Sequence, residues 1–201
     1  PPCAQALIDA GVARVVVAAI DPDPRVSGQG VAMLQAAGIV VEQILLPEAA
    51  AQHRGFFRRV QHGLPLVTMK IATSRNGMIP GSGQSPGITS PHARAHGHLL
   101  RAQSDAVMTG IGTVLADDPQ LTVRLPGMEH ARLVRVVCDH HLRLPLESQL
   151  VRMADIQPTW VVTTADAIEQ KASHATDLRE AGVKFCVVDA AALSPMVILK
   201  S

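Results

Sequence analysis

Tyrosine is absent, and the 201 residues carry one Trp and three Phe. So few rings cannot build the stacking platforms that single-stranded nucleic acid requires. Charge of one sign is missing too: 18 Lys and Arg stand against 17 Asp and Glu, a formal net charge of +1. A phosphate backbone asks for a basic stripe, so nucleic acid is not an expected partner. Apolar runs such as Val15 to Ile20 meet Asp or Pro well before the ~20 residues that a membrane helix needs, and no membrane association is expected. No secretory pattern opens the chain. Cysteine is scarce. Cys3, Cys138 and Cys186 are odd in number and far apart, which excludes a disulfide framework and suits free thiols in a reducing, cytoplasmic compartment.

What is present is apolar material enough to fold. Hydrophobic residues make up 47% of the chain and charged residues 17%, with a mean hydropathy of +0.20, which excludes a disordered tail. Such a length fills one large domain or two small ones without staples. The opening Pro1-Pro2-Cys3, in place of Met, implies a fragment whose upstream part is missing.

The punctuation of the chain predicts alternating helices and strands. A helix from about Cys3 to Ala10 closes at Gly11, and Arg14 to Ile20, short and β-branched, reads as a parallel strand covered on both faces. Val31 to Ala37 is helical, Gly38 caps it, and a second buried strand begins at Ile39. A helix over Pro47–Gln61 offers Ala50, Phe56, Phe57 and Val60 for packing. The His62-Gly63-Leu64-Pro65 break marks a domain boundary, giving domains over 1–62 and 63–201. A strand is expected over Leu66–Ala72, a turn at Asn76-Gly77, and a Gly/Ser-rich loop over Gly81–Gly87. Ser90-Pro91 starts a helix running to about Gln103. Further strands are expected at Ala106–Thr109, Val134–Asp139, Trp160–Thr163 and Lys184–Val188, with a helix over Asp166–Ala181. The whole is α/β.

Several residues could carry chemistry, and each has a plainer reading. Cys3, following two prolines at a helix start, has the placement that zinc deaminases use, although a small packed residue is the more frequent explanation for one such cysteine. Cys138 and Cys186 lie in apolar strands and read as core. His92 and His96 share a helical face with His98 nearby, but no Glu follows His92 in the zinc-protease manner, so a solvated face is the reading. Gly110-Ile111-Gly112-Thr113 matches no dinucleotide fingerprint, yet glycines at a strand end let backbone amides approach a phosphate. Arg101 and Arg124 present planar forks suited to phosphate near Thr113, Asp117 and Asp118; Arg101 could equally serve a helix terminus and Arg124 a surface.

As strings, the residues resemble one family, the bifunctional deaminase-reductases of riboflavin biosynthesis. Pro2-Cys3 with Ala6 to Val16, Asp21-Pro22-Asp23-Pro24-Arg25-Val26, Gly28-Gln29-Gly30, Gly55-Phe56-Phe57-Arg58-Arg59, Pro65 to Lys70, Ile88 to Pro91, Leu99 to Ala106 and Gly112 to Arg124 follow that family in order. The resemblance implies the end of a cytidine-deaminase-like domain followed by an α/β reductase domain resembling dihydrofolate reductase, both truncated. It implies that Cys3 is a zinc ligand whose His-x-Glu and cysteine partners lie upstream, so that this chain alone does not deaminate. It places Ala72, Thr113, Asp117 and His140 at an NADPH site, and Ser85, Arg101, Leu121 and Arg124 at the substrate, a phosphoribosylamino-pyrimidine whose opened ribose becomes ribityl. Lys70, on the strand entering the site, would polarise a sugar oxygen. A homo-oligomer is expected. Asn76, Gly87 and His140 depart from the family's usual Asp, Trp and hydroxyl residue. Two alternatives stay open: a stand-alone NADPH reductase of the same superfamily, and a non-catalytic copy acting as an interaction module.

Overall fold

The computed structural model describes residues 2–79, 88–128 and 130–189. They form two compact units that meet between Thr68 and Met69, close to the Gly63 punctuation.

The first unit alternates helix and strand. Pro2, extended at the N-cap, leads into α1 (Cys3–Asp9), followed by β1 (Arg14–Val17), α2 (Gln29–Ala36) and β2 (Val40–Gln43). Gly38, at φ +80°, reverses the chain between α2 and β2, a dihedral that glycine adopts without a Cβ clash. β1 and β2 pair in parallel, Arg14 opposite Val40. Ala4, Leu34 and Ile39 are buried together, with Leu7, Val15 and Val41 against them. The expectation that β1 is covered on both faces does not hold: Val16 and Val40 stand exposed, because the helices of this unit lie against one face of the pair. In the loop after β1, the Arg25 guanidinium and backbone N–H both donate to the Asp23 carboxylate, which this holds down at about 2.

The helix expected over 47–61 is two, α3 (Pro47–Gln52) and α4 (Arg54–His62), broken at His53, and neither buries a residue. Gly55, a poor helix former, follows directly after the break. Leu66–Ala72 was expected as a strand. Among the described residues it finds no ladder partner, and it runs as irregular chain.

The second unit is built on α5 (Pro91–Ala102), β3 (Ala106–Gly110), α6 (Ile111–Asp117), β4 (Val134–Cys138), α7 (Gln149–Arg152), β5 (Thr159–Thr163), α8 (Ala165–Gln170), α9 (Ala172–Glu180) and β6 (Lys184–Val187). The N-cap of α5 is the expected one: the Ser90 hydroxyl accepts from the Ala93 N–H at 3.2 Å, with Pro91 in the first turn. The four strands pair in chain order, all parallel. Val137 and Val161 point into the main core, where Ile111, Val114, Leu142, Leu144, Leu150, Leu178 and Val183 from the surrounding helices and loops meet them. A smaller cluster of Val136, Val162 and Val188 covers the opposite face. Cys138 and Cys186 pack half-buried as free thiols. The helix expected over 166–181 breaks at Lys171, which leaves helical dihedrals while its ammonium donates to the Leu142 carbonyl at 3.0 Å.

One cation lies inside this core. Arg135 is fully buried, and its guanidinium donates to the carbonyls of Leu150 (2.9 Å), Gln157 (2.7 Å) and Gln120 (3.3 Å) and to the Thr159 hydroxyl (2.6 Å). Burial lowers it to about 10, so it keeps its charge at neutral pH. An Arg in mid-strand thus ties β4 to β5, α7 and the loop after α6.

Candidate functional site

Parallel strands put their carboxyl ends on one edge of the sheet, and in open α/β sheets ligands bind beyond that edge. Gly110 pairs in register with Cys138, and the Asp139 N–H donates to Val162 at 2.9 Å, so the ends of β3, β4 and β5 adjoin. Gly110-Ile111-Gly112, read in the sequence as glycines at a strand end, is the junction where β3 passes into α6. Nothing lies within 4 Å of where a Cβ would stand at Gly110 or Gly112, which leaves their backbone open to a ligand. Thr113 and Asp117 are exposed on α6.

After β4 the chain is shaped by Asp139. Its buried carboxylate accepts from the N–H groups of Arg143 (2.5 Å) and Leu144 (2.8 Å). The loop so formed carries His140 and His141, edge to face at 4.4 Å. They border a cleft of about 400 Å³ with Thr164, Lys171 and Arg143. His140 Nδ1 is buried without a hydrogen-bond partner among the described residues.

A separate cluster of the second unit is the segment after α6. Asp118 and Leu121 both have positive φ, +38° and +55°, a conformation that costs a non-glycine residue of order 1–2 kcal/mol and persists only where the surroundings fix it. Here they do. Gln149 donates through its backbone N–H to Asp118 Oδ1 (2.8 Å) and through its side chain to the Asp118 carbonyl (2.6 Å). Arg135 holds the Gln120 carbonyl from below. Arg101, in the last turn of α5, donates to the Thr122 carbonyl at 2.6 Å. Arg124 donates to the Gln120 side chain at 3.1 Å and the Thr122 hydroxyl at 3.3 Å, while its backbone N–H donates to His98 Nδ1 at 3.2 Å.

Arg101 and Arg124 are therefore neighbours. Burial and then the Arg124 charge push the Arg101 guanidinium down, and Arg101 Nε is buried with no partner. Among the described residues no carboxylate forms an ion pair with either. Two adjacent guanidinium groups without a carboxylate partner among the described residues are a candidate anion site. Leu121 lies on the same segment, half-buried. Lys70 does not enter on a strand, since its segment forms none. Its side chain runs along α5 instead, with Cε 3.7 Å from where a Cβ would stand at Gly97. Ala72, two residues on, is half-buried. Ser85 lies outside the described residues, as do Gly87 and the Gly81-Ser82-Gly83 loop.

His98 corrects an expectation. His92 and His96 are exposed, as a solvated face requires, but His98 is half-buried and bonded to the arginine segment. Sequence reasoning also passed over Arg135 and Asp139. The available signal was a charge inside the apolar run Val134-Arg135-Val136-Val137, since a buried Arg must find acceptors.

Zinc does not fit the described residues. Cys3 is exposed at the start of α1, and no group of three His, Cys, Asp or Glu lies close enough to hold a metal among them. No described helix is long and apolar enough to cross a membrane.

Four strands paired in parallel and in chain order, with helices packed on them, define a parallel α/β domain. The sequence signature of the RibD C-terminal domain matches residues 65–200. The chain is 41% identical to the riboflavin biosynthesis protein RibD of Actinobacillus pleuropneumoniae, over 85% of its own length and 45% of that protein's. It is also 41% identical to RibD of Escherichia coli K12, over 83% and 48%. Acinetobacter baumannii RibD superposes on all of the chain with a TM-score of 0.83 at 36% identity, over 54% of that structure. The chain belongs to the RibD family, and it spans about half the length of these relatives.

Proposed function

We propose that the second unit is the NADPH-dependent reductase of riboflavin biosynthesis, passing a hydride to the opened ribose of a phosphoribosylamino-pyrimidine and leaving a ribityl side chain. The observation that carries this reading is the arginine pair, two forks with no carboxylate partner among the described residues. Family membership supports it, as does the likeness to a Thermotoga maritima protein described as a diaminohydroxyphosphoribosylaminopyrimidine deaminase and 5-amino-6-(5-phosphoribosylamino)uracil reductase, 29% identical with a TM-score of 0.78.

Each residue then has a task. Arg101 and Arg124 grip the substrate phosphate, with Leu121 and Ser85 on the substrate. The open glycines at the β3–α6 junction fit a dinucleotide, held by Ala72, Thr113, Asp117 and His140. NADPH, when bound, supplies the hydride. Lys70 polarises the sugar oxygen and gives it a proton. In the first unit we propose the closing part of a cytidine-deaminase-like domain. Deamination there requires metal ligands beyond Cys3, so no hydrolytic step is assigned to the residues described.

Adding NADPH and the phosphoribosylamino substrate to the full-length protein and following nicotinamide absorbance tests the reading. Oxidation of NADPH is expected. Arg101→Ala and Arg124→Ala each raise KM about 10- to 100-fold, in line with about 1.5–3 kcal/mol for a charge-assisted hydrogen bond. Neither cofactor binding nor turnover in the unaltered full-length protein would overturn the reading in favour of a non-catalytic interaction module.

A further inference from the structure

The arginine pair is held by a residue to which no role has been given. His98 sits one turn before Arg101 on α5, and its Nδ1 faces two donors: the Arg124 backbone N–H at 3.2 Å and Arg101 Nη1 at 3.4 Å. A nitrogen that faces two donors must itself be the acceptor, so the ring is neutral with its proton on Nε2. We infer that His98 is a positioning residue for the arginine pair, a latch that fixes Arg124 while its imidazole is neutral and lets go when the ring is protonated. This rests on the reading of the pair as a phosphate site.

Protonation turns Nδ1 from acceptor to donor. It then opposes the N–H of Arg124 and the guanidinium of Arg101, and a third positive charge enters a cluster that already holds two. The charged groups placed around His98 are Arg101 on its own helix, Arg124 on the segment after α6, and Lys70, whose side chain lies along Gly97. All three are cations. Burial first, then Arg101 and Arg124, push the imidazole below its ordinary value, against a smaller opposing pull from the Thr122 backbone. The sign follows: the latch is closed above the usual histidine range near pH 6.5 and opens as pH falls through a lower value. His98 touches the backbone of Arg124 rather than any reacting atom, so its effect falls on KM rather than on kcat.

The test compares the unaltered chain with His98→Ala and His98→Gln, measuring KM for the phosphoribosylamino substrate between about pH 5.5 and 8. His98→Ala raises KM roughly tenfold at the upper end with kcat kept within about twofold. His98→Gln, whose amide oxygen accepts at any pH, recovers most of that loss. The substrate phosphate titrates near pH 6 in every variant, so the reading is the excess: KM of the unaltered chain climbs more steeply than that of His98→Gln on acidification, the excess reaching at most about tenfold once the ring is fully protonated. Equal slopes for the two, or an unchanged KM in His98→Ala, overturn the inference. A second measurement needs no substrate: the Arg124 amide resonance of the labelled chain follows the His98 titration, and is flat in His98→Gln. If the amide follows His98 while no substrate turns over, the reductase reading fails and the latch stands. If turnover occurs while the amide is flat, the latch fails alone.

Discussion

The two compact units use the same grammar of parallel strands joined through helices, yet they bury those strands differently. Val137 of β4 and Val161 of β5 are 0% exposed, whereas Val16 of β1 and Val40 of β2 are 51% and 61% exposed. All four are β-branched residues in short apolar runs. What separates them is what lies on the sheet. In the second unit α6, α8 and α9 and the loop through Leu142 and Leu144 converge on one face, with a smaller cluster on the other. In the first, three buried residues make the core. An apolar run specifies a strand and its pairing; its burial is supplied by other elements.

The comparison predicts a graded set of losses. The largest is Leu178→Ala in α9, at a fully buried position, which costs about 3 kcal/mol of stability. The single Trp, Trp160, lies in β5, so its fluorescence during urea unfolding reports on the second unit directly. A change under about 1 kcal/mol would erase the contrast. Next is Ser90→Ala, which removes the side-chain acceptor at the start of α5 and costs about 1 kcal/mol. Faster hydrogen exchange at the Ala93 amide is the expected sign, and unchanged exchange speaks against the cap.

A smaller, pH-confined effect belongs to the first unit. The Asp23 carboxyl is held at about 2, below its ordinary 3.8, by the hydrogen bonds from Arg25. A depressed carboxylate contributes stability that is complete above its unfolded pKa and is lost as pH falls through the folded one. The contribution therefore vanishes between about pH 4 and pH 2, and Asp23→Asn lacks it throughout. A carboxyl carbon titration that finds Asp23 near its ordinary value would refute this. The smallest effect is Val16→Ala on the exposed side of β1, which stays within about 0.5 kcal/mol by circular dichroism of the urea transition. A loss as large as that of Leu178→Ala would show that the units do not differ as described.

Much of the fold was legible because local chemistry decides it. Ser90-Pro91 capped its helix, Gly38 reversed its turn, and the runs beginning at Ala106, Val134, Trp160 and Lys184 became the four paired strands. The failures were tertiary. Leu66–Ala72 has the composition of a strand but meets no partner among the described residues. The long helices broke where His53 and Lys171 left the helical dihedrals, and Lys171 gave its ammonium to a carbonyl on a distant loop. In the site, Arg101 and Arg124 stood out in the sequence as candidate phosphate forks, and the fold makes them neighbours. His98 was hidden because a helix drawn on its own gives it only solvent.

Composition, turn residues and apolar period are properties of neighbours along the chain, and they alone settled that this is an α/β protein with parallel strands and free cysteines. Only three-dimensional packing decided that Arg135 is buried beneath the Gln120 carbonyl, that Asp118 and Leu121 hold positive φ, and that His98 meets Arg124. Each of these joins groups far apart in sequence, and an acceptor supplied by a distant backbone leaves no mark on the residues around its donor.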